Sequence, residues 1–195
     1  MELIVTGYAG LEGSRIIYQN ETCQNQLRAR YADTFLQGLA ENRTETDEAA
    51  RLRFIGQQTK AAENGMLCSA AEGGIFAALW NLLRKHHTGA AFSQRKIPVL
   101  QQTIEVCETF GLNPYRLHAP GCAVWLCTEP GALLADAARA EVPAAWIGST
   151  RKGAGILRED GAEIAYLRRP EPDELEKLYA GKLEKSVVNL SSAVK

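Results

Sequence analysis

The 195 residues include 22 basic and 23 acidic side chains, for a formal net charge of −1, with 46% hydrophobic and 23% charged residues. These proportions exclude a disordered or fibrous class, and the balanced charge removes the electrostatic footprint of a nucleic-acid or anionic-membrane partner. Five cysteines, an odd number without a C-x-x-C pair, argue against a disulfide framework and a structural zinc site, so no metal is expected. With no leader and no apolar run of bilayer length, a cytoplasmic domain with reduced thiols is expected.

Leu3 to Thr6 is a short strand, Gly7 to Gly13 a glycine turn, and Ser14 to Tyr18 the start of a helix. Apolar residues at helical spacing (Leu27, Tyr31, Phe35, Leu39, then Leu52, Ile55) predict two amphipathic helices within residues 21 to 63. A break is expected near Asn42 to Thr44, with Thr46 or Asp47 as cap. A second strand-to-helix unit runs from Gly65–Cys68 through Glu72, Gly73 and Gly74 into the apolar helix Ile75 to Leu83. Gly89 to Phe92 reads as a strand, and Pro98 to Phe110 as a helix ended by Gly111.

Gly121 to Cys127 is so uniformly apolar that it predicts a central strand, followed by a helix from Pro130 to Ala140 and a strand from Pro143 to Gly148. A hairpin of Ile156 to Arg158 and Glu163 to Leu167 turns around Asp160-Gly161, and a helix covers residues 172 to 183. One domain over residues 1–183 and a flexible tail over 184–195 follow. The mixture of strand–helix units with a terminal hairpin predicts an α+β class with a mixed sheet.

Three glycine-containing turns at strand ends invite a ligand, because backbone N–H groups and the positive end of a helix favour anions there. Gly10, Gly13 and Ser14 form the first, Glu72, Gly73 and Gly74 the second, and Gly121 the third. Their spacing matches neither the dinucleotide fingerprint nor a P-loop, and tight turns or helix capping by Glu72 account for the same residues. Cys68 or Ser69 with His118, beside Cys122, would make a nucleophile pair only if the fold joined them; packing is the simpler role for the thiols. His86 and His87 read as a solvated helix end. The segment from Gly148 to Gly153 reads equally as a phosphate clamp or an exposed turn. No catalytic residue is assigned.

Taken in order, Val5-Thr6-Gly7-Tyr8 with Gly10 to Ser14, Glu72 to Trp80, Ile97-Pro98-Val99, Gly111 to Leu117 and Ala144 to Gly148 resemble the C-terminal domain of AIR synthase-related proteins. This PurM-like superfamily includes aminoimidazole ribonucleotide synthase and a hydrogenase maturation factor. The resemblance covers Leu3 to Leu178 and implies a three-layer α/β/α domain, loosely ferredoxin-like, whose missing N-terminal half would bring ATP and magnesium. Where the family has His-Asp-x-Thr this chain has Cys68, Ser69, Ala70 and Ala71, and where it has Ser-Ser-Gly-Ser this chain has Ala119, Pro120, Gly121 and Cys122. It ends in Ala193-Val194-Lys195, without the cysteine on which the maturation factor carries its chemistry.

The resemblance therefore implies a catalytically incomplete, degenerate domain that binds a partner subunit or a phosphorylated small molecule. Its partner would be a second copy, in a homodimer, or an ATP-binding N-terminal-type subunit. No cofactor is expected for the chain alone. The alternatives are one half of an ATP-dependent enzyme whose other half lies on a separate chain, and a structural or regulatory homodimer without a ligand. A weak anion pocket is expected where the turns at Gly10 to Gly13, Gly73-Gly74 and Gly121 converge.

Overall fold

The computed structural model describes residues 1–40, 47–61 and 66–180. Seven strands form one sheet: β1 (Glu2–Thr6), β2 (Leu67–Ala70), β3 (Gly89–Phe92), β4 (Ala119–Cys127), β5 (Ala144–Arg151), β6 (Ile156–Asp160) and β7 (Glu163–Tyr166), in the order β2-β4-β1-β5-β3-β6-β7. All neighbours are antiparallel except β3 and β6, so the sheet is mixed and the class is α+β, as expected.

Strand alternation sends successive β1 side chains to opposite faces. Leu3 and Val5 enter a core with Val124, Leu126, Phe92 and the apolar side of α5 (Gly74–Lys85), while Ile4 joins Trp125, Phe54 and Ala137 on the other face. That second face is covered by α4 (Glu48–Ala61) and α7 (Pro130–Arg139). A third cluster joins α1 (Leu11–Gln19), α2 (Glu21–Arg28), α3 (Asp33–Ala40) and α6 (Gln101–Phe110) through Leu11, Leu27, Leu36, Leu39 and Val106. Helices on both sheet faces give the three layers.

Several boundaries differ from the sequence reading. The stretch before residue 41 holds two helices, not one, because the backbone leaves the helix over 29–32 and lets Leu27 and Leu36 both turn into the third cluster. Tyr31 lies in this break and donates to Glu105 of α6 at 2.8 Å. Asp47 does act as a cap, accepting from the Ala49 N–H at 2.9 Å; Asn42 to Thr44 and Thr46 lie outside the described residues, as do Gly65 and the tail 184–195. β2 is shifted to Leu67–Ala70, and α1 already begins at Leu11.

The Pro98 carbonyl is committed to the Ala9 N–H at 2.9 Å, so α6 starts only at Gln101. β4 is flanked on both sides but lies one place from the sheet edge. Its uniform apolarity comes from α4 on one face and α5 on the other. Ser149, Thr150 and Arg151 belong to β5 and pair with β3, so the expected turn at 148–153 is mostly strand. The last helix is observed over 174–180, up to the end of the described residues.

Leu3 on β1 is fully buried between β4 and β5. Leu3→Ala should lower unfolding free energy by about 2–5 kcal/mol in a denaturant titration, whereas Ile164→Ala at the exposed edge strand should change it by less than about 0.5 kcal/mol.

Candidate functional site

The N-terminus of α5 is the second of the three glycine turns. Gly73 (φ 72°) and Gly74 (φ 65°) both adopt the left-handed conformation that favours glycine, and a side chain on Gly74 would meet the Tyr115 carbonyl oxygen at 2.7 Å. The Gly73 N–H points at an anion that belongs to the chain itself: it donates to Asp173 Oδ2 at 2.8 Å. Asp173 is 5% exposed. Its Oδ1 accepts from the Leu175 N–H at 3.0 Å and the His118 N–H at 3.4 Å.

One carboxylate therefore satisfies the free N–H groups of two helix starts, its own at 174–180 and that of α5, where a negative charge is favoured. The connecting segment is held by an ion pair of Arg116 with Glu171 at 2.7 Å. Glu72 itself is exposed, one residue before the Gly73 cap position of α5.

The first glycine turn is similarly self-occupied. The Gly13 N–H donates to the His118 carbonyl at 2.8 Å, and a side chain at Gly13 would meet Leu117 Cγ at 2.4 Å. Ser14 is buried and donates to the Leu11 carbonyl at 2.8 Å, with Thr103 Oγ1 at 3.1 Å. Gly10 is the left-handed residue before α1 and packs against the Pro114 carbonyl. The loop from Pro114 to His118 thus touches the first two turns.

Gly121 has a different neighbour. A side chain there would lie 2.7 Å from both Arg51 Nε and Glu12 Oε1, an ion pair in which Arg51 is fully buried and Glu12 is 4% exposed. Burial pushes the Glu12 carboxyl above its ordinary range, against the pull of Arg51. The carboxylate oxygen Oε2 is also buried and has no hydrogen-bond donor among the described residues. Beside this pair a cavity of about 830 Å³ opens, walled in part by Glu12, Arg15, Glu48 and His118.

The fold gives the other reactive types structural work. Ser69 donates to the Pro120 carbonyl at 3.1 Å. Cys122 is sealed in the core and its thiol is pushed far up by burial; burial also raises Cys107 to about 12 and pushes Cys68 and Cys127 upward. Among the described residues, no group of three or more His, Cys, Asp or Glu side chains is arranged to hold a metal, and no helix is long and apolar enough to cross a membrane. Sequence reading missed Arg51 and Asp173. Arg51 looks like any surface arginine in a polar helix, whereas the Pro-Asp-Glu-Leu run at 172–175 signals a helix start without revealing which second helix Asp173 would cap.

No family model and no curated protein matches this chain. Solved structures share its fold. E. coli HypE, described as a hydrogenase maturation protein, superposes with a TM-score of 0.65 at 20% identity, over 89% of this chain and 50% of HypE. HypE from a HypE–HypF complex gives 0.62 at 14% identity, over 87% and 52%. PurL of T. maritima, complexed with FGAR, gives 0.55 at 11% identity, over 88% and 28%. The domain thus has the PurM-like fold, and it spans about half the length of the HypE chains it matches.

Asp173→Ala should lower stability by about 2–4 kcal/mol, because a cap is lost and buried N–H groups are left without an acceptor; Asp173→Asn, which keeps one acceptor oxygen, should lose less in the same denaturant titration. In native protein, a thiol reagent should label half-buried Cys68 and Cys127 before buried Cys23, Cys107 and Cys122, read by peptide mass mapping.

Proposed function

We propose that this chain is a PurM-like domain that lacks ATP-dependent chemistry of its own and works by docking on a second polypeptide. The observation that carries the reading is the carboxylate of Asp173 on the Gly73 N–H: the position where a phosphate would be held is filled from within. Cys68 to Ala71 lack the carboxylate and Ala119 to Cys122 lack the hydroxyls that the resemblance calls for, which supports the same reading.

The docking surface follows from how the sheet is covered. On the face that carries Ile4 and Trp125, helices α4 and α7 pack against β4, β1 and β5. Pairing in register places Ser149, Ala91, Leu157 and Tyr166 on this same face, with Ile164 two residues before Tyr166. Trp146, Ile164 and Tyr166 there are 49%, 66% and 71% exposed. Exposed aromatic and aliphatic groups in one strip mark interaction surfaces. A second copy of the chain is the occupant we favour; an ATP-binding subunit, as in the enzyme-half reading, is the other.

In sedimentation at micromolar concentration the protein should self-associate, and Trp146→Glu combined with Tyr166→Glu should return it to monomer with its stability unchanged. A strict monomer would overturn the homodimer. The chain alone should show no magnesium-dependent ATP hydrolysis, and a rate that Glu72→Gln abolishes would overturn the loss of chemistry.

A further inference from the structure

The cavity beside the buried ion pair lies apart from the uncovered sheet face and carries its own signs of a ligand. Its walls include three carboxylates, Glu12, Asp47 and Glu48, together with Arg15, Leu39 and Leu52. The Arg15 guanidinium is engaged, its Nε donating to the Leu39 carbonyl at 2.8 Å. Asp47 accepts from the Ala49 N–H. Arg51 meets Glu12 at Oε1. Among the described residues, Glu12 Oε2 is left as a buried acceptor without a donor, in a side chain 5% exposed.

A buried carboxylate oxygen without a partner costs free energy comparable to a lost hydrogen bond, and the missing group must bring an N–H or O–H. Two features select between donors. Glu48 borders the same cavity as Glu12, so two carboxylates face one space and a positive donor is favoured over a neutral one. Leu52, 43% exposed, offers apolar contact for a hydrocarbon stem.

We propose that the cavity walled by Glu12, Glu48 and Leu52 is a binding site for an aliphatic ammonium compound, its N–H groups directed to the Glu12 and Glu48 carboxylates and its methylenes to Leu52. The site is formed chiefly by α1, α3 and α4, with Gln24 of α2 and His118 at its border, and does not depend on docking through the sheet.

The probe is 1,4-diaminobutane, titrated into the full chain and followed by backbone amide NMR and calorimetry. Shifts should appear at Ile16, Ala49 and His118 around the cavity. Glu48→Gln, which leaves the buried Glu12–Arg51 pair intact, should weaken binding by roughly tenfold, as expected for loss of a charge-assisted hydrogen bond. The neutral isostere 1,4-butanediol should bind far more weakly. Absence of shifts at millimolar diamine, equal binding of the diol, full affinity in Glu48→Gln, or the same shifts with sodium sulfate would each overturn the proposal. Glu12→Gln adds a second reading if it folds: diamine affinity should fall further than in Glu48→Gln.

Discussion

A guanidinium and a carboxylate out of water fix how the helices sit on this sheet. Arg51 of α4 reaches Glu12 of α1 across the point where β4 carries Gly121, and the pair ties elements from three parts of the chain into one position. Desolvation of two charges offsets much of their attraction, so such a pair adds little net stability. What it does add is selectivity: with either partner displaced, a charge would remain buried and unpaired, which is far more costly than a shifted apolar contact. Gly121 is part of this constraint, because any side chain there would occupy the space of the pair.

Asp173 imposes a second constraint of the same kind. Its two oxygens accept from Gly73, His118 and Leu175, so the chain after β7 is drawn back to the start of α5, where Leu175 and Leu178 pack on the helical cluster. A helix N-terminus attracts whichever anion is at hand, and an anion on the same chain has no translational entropy to lose. The loop from Pro114 to His118 lies between the two constraints. Its carbonyls back Gly10, Gly13 and Gly74, and His118 also borders the cavity beside Glu12.

The local signals in the sequence carried through into the fold wherever one stretch of chain decides its own geometry. The short β-branched run Leu3 to Thr6 gave a strand with two buried faces, Asp160-Gly161 gave a hairpin, and Gly111 ended α6. Ordered blocks from Val5 to Gly148 were enough to anticipate the PurM-like fold. The starts of α1 and α5 were also legible as turns with glycine in the left-handed conformation, because that need is met within a few residues.

What filled those turns was decided by tertiary structure. Asp173 is 100 residues from Gly73, and Arg51 is 39 residues from Glu12; no periodicity links such positions, and each looks like an ordinary charged residue near a helix start or on a polar helix. The stretch from Ser149 to Arg151 resembled a turn by composition and became strand because β3 and β1 offered hydrogen bonds on both sides. The sequence by itself determined the kind and order of most elements, since propensity and capping act over a few residues, but several of their ends were set by contacts such as that of Pro98 with Ala9. Only the folded chain decided which N–H groups remain free for a ligand, because that depends on which distant carboxylate or carbonyl reaches them first.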